Sequence, residues 1–159
     1  MYDRILVPTD GSPGVGRAVE HAVDLAAIHD ATVHAIYVVN SATFAGLPME
    51  ASWNGISDVL REEGQEALEL VEETAKKADV PLQTRLIDGS PRRAIVEYAD
   101  GHDCDLIVMG THGRGGINRL LMGSVTEGVI RTSDRPVLTV QLGDRSDGDE
   151  QQDDTATES

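Results

Sequence analysis

A doubly wound α/β domain, with five parallel strands in the order 3-2-1-4-5 and helices on both faces, is the fold this sequence predicts. Three observations point there. Strand-like and helix-like segments alternate from one end of the chain to the other. Two of the strand-like runs, Ile5-Leu6-Val7 and Leu106-Ile107-Val108-Met109, are apolar throughout, as strands buried on both faces are. The 159 residues, 40% of them hydrophobic, suffice for one sizeable core and are short for two.

Arg4-Ile5-Leu6-Val7 opens the sheet, and Pro8-Thr9-Asp10-Gly11 stops it. Ser12 fits an N-cap with Pro13 at the first helical position, and Ala18, Val19, Ala22, Val23, Leu25 and Ala26 recur at helical spacing. Residues 32–39, rich in Val and Ile, form the second strand, and residues 40–49, with Gly46 and Pro48, a loop. Residues 50–78 read as one long helix. In it Ile56, Val59, Leu60, Ala67, Leu68, Val71 and Ala75 make an apolar stripe opposite a Glu-rich face, with Gly64 a candidate kink. The third strand, residues 82–87, is less apolar and suits a sheet edge.

Ser90-Pro91 repeats the cap signal of Ser12-Pro13 and opens a helix through Ala94, Ile95, Tyr98 and Ala99. Residues 105–109 are the fourth strand, followed by a glycine-rich loop and a helix from Ser124 to about Thr132. Pro136-Val137-Leu138-Thr139-Val140 is the last strand. One domain then spans residues 1–142. Residues 143–159 carry Asp, Gln, Ser and Thr but no large apolar side chain, so an acidic disordered tail is expected: nothing there offsets the entropy of ordering.

Composition excludes several classes of function. No run of about 18 apolar residues occurs, and Met1 leads straight into a strand without a charged-then-apolar leader, so a soluble cytoplasmic protein with no membrane partner is expected. Cys104 is the only cysteine, which leaves no internal disulfide and no multi-thiolate metal site; a buried structural thiol is expected. His21, His29, His34 and His102 lack metal-ligand spacing. With 28 Asp and Glu against 13 Lys and Arg, the formal net charge is -15, and nucleic acid is a poor partner for want of a basic patch. Such acidity suits an ordinary cytosolic protein, or one in a high-salt cytoplasm where screening relieves self-repulsion.

In a sheet of this kind ligands bind beyond the carboxyl ends of the strands, where strand order reverses. With strands one and four as neighbours, residues 8–11 and the loop after Gly110 open onto that crevice. Gly110-Thr111-His112-Gly113 is backbone with few side chains, able to approach a phosphate closely, and Gly123-Ser124 begins a helix whose first N–H groups favour an anion. On glycine content alone, a merely flexible connection is an equal reading.

The spacing tips the balance. Gly110, two residues, Gly113, nine residues, Gly123 and Ser124 matches the signature by which ATP-binding universal stress proteins are recognised. Ile5-Leu6-Val7-Pro8-Thr9-Asp10-Gly11-Ser12, the strand ending at Gly110, and Arg135-Pro136-Val137-Leu138 also resemble that UspA-like family, in the expected order. The resemblance runs from Tyr2 to about Leu142.

It implies a Rossmann-like fold, akin to the adenine nucleotide alpha hydrolases, and a cytoplasmic nucleotide-sensing regulator of stress adaptation. Read with the acidity, it points to a halophilic archaeon. Asp10 would hold adenine or ribose, beside the backbone of Pro8 and Thr9, and the backbone of Val38 would meet the adenine edge. Gly110 would lie against ribose. Gly113, Gly123, Ser124, Val125 and Thr126 would hold phosphates, with Mg²⁺ bridging phosphate oxygens rather than bound by side chains. Arg114 meets a phosphate or stays in solvent. Asp10 equally fits a cap of its own turn, and Ser124 a plain N-cap.

A homodimer is implied too, and pairing of residues 136–140 with a symmetry mate would cover an apolar edge; a monomer with that edge shielded by the tail is the alternative. AMP, cAMP or no nucleotide, with action through a protein partner, is the other functional reading, and slow ATP hydrolysis a third. No catalytic residue is named: the loop lacks the Walker lysine, and no group to position water is identifiable.

Overall fold

The computed structural model describes residues 1–40, 50–111 and 122–141, and of residues 50–54 and 56 the backbone alone. The elements are β1 (Arg4–Pro8), α1 (Val15–His29), β2 (Thr32–Val39), α2 (Glu50–Lys77), β3 (Leu82–Asp88), α3 (Pro91–Gly101), β4 (Leu106–Gly110), α4 (Ser124–Thr132) and β5 (Val137–Val140). The sheet is parallel throughout, in the order β3-β2-β1-β4-β5 that the sequence predicts. The two wholly apolar runs lie side by side within the sheet, where both faces are covered: Ile5, Leu6, Val7, Ile107 and Val108 are fully buried.

Alternation along the strands sends Ile5, Val7, Val33 and Val108 to one face, under α1 and α2, and Leu6, Ile36, Ile107 and Met109 to the other, under α3 and α4. Ala18, Ala22 and Ala26 line the buried side of α1, where small side chains let the helix sit close to the sheet. At the amino ends, Asp105 clasps β4 to β1 by accepting from the amides of Asp3 (2.7 Å) and Arg4 (2.9 Å).

Several local expectations are corrected. The first helix begins at Val15 with Gly14 as its N-cap, not at Ser12-Pro13. The Asp10 carboxylate accepts from the Ser12 amide at 2.9 Å, the Thr9 hydroxyl accepts from the Gly11 amide at 3.2 Å, and Gly11 has φ 76°, so the chain completes a turn before it can coil. Gly64 does not break α2. A Cβ there would lie 2.6 Å from Leu86 and from Tyr37, so the glycine lets the helix pass close over β2 and β3. Val59 drops out of the apolar stripe, being 54% exposed, whereas Ala67, Leu68, Val71 and Ala75 are buried as expected. β5 starts at Val137, one residue later than read. The loop at 41–49 and the tail from 142 onward lie outside the described residues.

Candidate functional site

β1 and β4 lie side by side, and the chain leaves them toward opposite faces, into α1 on one and α4 on the other. A crevice therefore opens beyond their carboxyl ends, at the switch point where doubly wound sheets bind ligands.

One lip is the end of β1. Pro8 is half-buried, and Thr9 is buried with its amide donating to the Ile36 carbonyl at 2.9 Å, which prolongs β1 along β2. Asp10 is half-buried and gives Oδ1 to the Ser12 amide, so its reading as a turn cap holds, alongside whatever else its carboxylate does. The carbonyl of Ile36 faces β1, and by alternation the N–H and C=O of Val38 face the same way, beyond Pro8, the last β1 residue in register. Its side chain is partly buried against the core residues under α3 and α4.

The other lip joins β4 to α4. Thr111 donates its amide to the Val140 carbonyl (3.0 Å) and accepts at its own carbonyl from the Gly123 amide (2.7 Å). The hydroxyl of buried Thr126 donates to the Gly110 carbonyl at 2.8 Å. These bonds pin the start of α4 to the end of β4. The first bond inside the helix runs from the Glu127 amide to the Gly123 carbonyl at 2.9 Å, so the amides of Ser124, Val125 and Thr126 have no partner within it and sit at its positive end. Of these residues only Ser124 exposes its side chain; Val125 packs its own into the core. Glu127, one turn in, accepts from Arg131 at 2.8 Å.

The predicted site residues thus divide. Pro8, Thr9 and Asp10 lie at the carboxyl end of β1, Val38 and Gly110 at the ends of β2 and β4, and Ser124, Val125 and Thr126 in the first turn of α4, the last two with their side chains turned into the protein. The amide of Gly123 is already engaged by Thr111. Gly113 and Arg114 lie outside the described residues. Sequence reasoning overlooked Thr111, whose backbone braces both β5 and α4, and it took Ser12 for a cap. Its hydroxyl instead is buried without a hydrogen-bond partner.

Away from the crevice, His34 Nδ1 lies 2.9 Å from the Tyr98 hydroxyl, and Tyr98 stacks on His102 with ring centroids 3.8 Å apart. Burial, then the nearby His102 and Arg4, holds the His34 pKa below its ordinary value. Cys104 is fully buried, and burial pushes its thiol up to about 11, which makes it a core residue and a poor nucleophile. Among the described residues no cluster of three or more His, Cys, Asp or Glu could hold a metal, and no helix is long and apolar enough to cross a membrane.

The sequence matches the Universal stress protein family over residues 1–141. Universal stress protein MJ0531 of Methanocaldococcus jannaschii is 48% identical over 141 residues, covering 89% of this chain and 83% of that protein. The solved structure of protein MJ0577, from the same organism, superposes with a TM-score of 0.79 at 30% identity, over 89% of this chain and 96% of the other. A universal stress protein crystallised in complex with cAMP superposes with a TM-score of 0.63 at 31% identity, over 89% and 98% of the two chains. With its strand order, its crevice and these relatives in agreement, the chain belongs to the universal stress protein family.

Proposed function

We propose that this protein binds an adenine nucleotide, ATP by preference, in the crevice between β1 and β4, and acts as a nucleotide-sensing regulator in the cytoplasm under stress. The observation that carries the reading is the start of α4: three amides without intrahelical partners, fixed in place by the Gly123 to Thr111 and Thr126 to Gly110 bonds. Phosphate oxygens would accept from the amides of Ser124, Val125 and Thr126 and from the Ser124 hydroxyl, with Gly113 and Arg114 completing the cup. Asp10 and the Val38 backbone would take ribose and adenine, with Gly110 against the sugar. Mg²⁺ would be held through phosphate oxygens and waters, in keeping with its preference for oxygen ligands.

The solved relative in complex with cAMP favours a second reading, in which a nucleotide with one phosphate is the physiological ligand. Both are readings of a binding protein. β5 lies at a sheet edge with Leu138 36% exposed, and pairing with a second copy through residues 136–140 would cover it. The net charge of -15 suits a salt-rich, halophilic cytoplasm.

Thermal unfolding with millimolar Mg-ATP, ADP, AMP or cAMP tests the reading. Ligand at about 100 times its Kd adds ~2.7 kcal/mol, which for a chain of this size raises Tm by roughly 5–10 °C. Gly123→Trp should abolish the rise. An unchanged melting curve with all four nucleotides overturns nucleotide binding.

A further inference from the structure

Ser12 stands in the position of a helix cap but does not cap. The helix starts at Val15, and the side chain of Ser12 makes no hydrogen bond, although its oxygen is buried. A buried hydroxyl with no partner costs about 1–3 kcal/mol. The rest of the turn is satisfied from within: the Gly11 amide donates to the Thr9 hydroxyl, the Ser12 amide to the Asp10 carboxylate, and the Val15 amide to the Ser12 carbonyl at 3.2 Å. Among the described residues, Ser12 Oγ is the one buried side-chain polar atom without a hydrogen-bond partner.

Its location gives that atom a use. Residues 11–14 leave the end of β1 and lead into α1, which lies against β1, β4 and β5. Val15 packs against the core beneath α1, and the turn before it follows the carboxyl end of β1, whose neighbour in the sheet is β4. Across the crevice is the start of α4, where Thr111 joins the end of β5 to Gly123. Asp10 precedes Ser12 by two residues, on the β2 side where Thr9 bonds Ile36. Ser12 therefore belongs to the turn that leaves the switch point where such sheets bind ligands.

We propose that the Ser12 hydroxyl is a phosphate ligand of the bound nucleotide, donating to a phosphate oxygen opposite the α4 amides. This rests on the nucleotide reading above and extends it to the β1 to α1 turn. The turn is built with one donor unsatisfied, and occupation of the crevice satisfies it.

Isothermal titration of wild type, Ser12→Ala and Ser12→Thr with adenosine, ADP and ATP, with a melting curve of each ligand-free protein, tests this. In Ser12→Ala the affinity for ADP and ATP should fall about 10-fold, the equivalent of one charge-assisted hydrogen bond, while adenosine binds unchanged. Ser12→Thr, which keeps the hydroxyl, should stay within about threefold of wild type. The ligand-free Tm of Ser12→Ala should hold or rise, since the variant removes an unsatisfied group.

An unchanged ATP affinity in Ser12→Ala, with or without a lowered ligand-free Tm, assigns Ser12 to the scaffold and overturns the proposal. An equal loss for adenosine and ATP overturns the phosphate assignment. Should Ser12→Ala fail to fold, loss of ATP binding in a folded Ser12→Thr also overturns it. Absence of any ligand binding by wild type removes the nucleotide reading itself, a failure distinct from a wild type that binds and a Ser12→Ala variant that binds as well.

Discussion

The tetrapeptide Asp-Gly-Ser-Pro occurs twice, at residues 10–13 and 88–91, each time where a parallel strand has ended and a helix is due. The two copies fold differently. In the second, Ser90 is the N-cap with extended backbone, Pro91 is the first helical residue, and the Ala94 amide donates to the Ser90 carbonyl at 2.8 Å. The Asp88 carboxylate turns outward to Arg61 at 2.6 Å. In the first, Asp10 turns inward onto the Ser12 amide, the helix waits until Val15, and the Ser12 hydroxyl is buried without a partner.

The cause is position in the sheet. β1 is central, and its exit is enclosed by β2 on one side and β4 on the other. β3 is an edge, and its exit meets solvent, where water can serve Ser90 and an ion pair with Arg61 can form. One local signal gives a plain helix start at the edge and, at the switch point, a turn with one buried hydroxyl unsatisfied, the place where a ligand would complete it.

Removing the aspartates is the strongest way to break this contrast. Asp10→Ala should destabilise the ligand-free protein by about 1–2 kcal/mol, because the Ser12 amide loses its acceptor within a half-buried turn. Asp88→Ala should cost no more than about 0.5 kcal/mol, since its pair with Arg61 is about half exposed and solvent screens it. Urea unfolding measures both; equal losses would mean that the two copies are energetically alike.

A second measurement extends the contrast to another polar group caught beside β1. His34, paired in register with Leu6, is buried and held below its ordinary pKa by burial, then by His102 and Arg4. Above the ordinary value of 6.5 it is neutral whether the chain is folded or unfolded. As pH falls the unfolded chain takes up the proton first, so stability should drop as pH falls from 6.5 through the lowered folded value. His34→Gln should flatten that part of the pH profile, and an unaltered acid slope would show that His34 is not its source.

The smallest effect belongs to Ser90→Ala. Ser90 is exposed and makes no side-chain capping bond, so the substitution should shift stability by less than about 0.5 kcal/mol, the low end for lost caps. A loss of 2 kcal/mol would mean that the edge copy, too, depends on its serine.

Periodicity made most of the scaffold legible. Ala94, Ile95, Tyr98 and Ala99 are the buried face of α3, as their spacing predicts, and β2 and α4 have the limits read from sequence. Those features are local: an apolar stripe, a cap residue and a glycine signature are each written within a few turns of chain. The misreadings share the opposite character. Ser12 looked like a helix cap, yet α1 starts only at Val15 and the Ser12 hydroxyl is buried without a partner. The need for a glycine at position 64 is likewise set by Tyr37 and Leu86, on other elements.

The sequence by itself therefore determined the succession of strands and helices, the two apolar runs at the centre of the sheet, and the family. Only the tertiary structure decided which serine of two identical tetrapeptides would be a cap and which would be shut in beside a crevice. Whether a hydroxyl finds water, a carbonyl or nothing depends on atoms brought near it from distant parts of the chain, and no short stretch of residues encodes those.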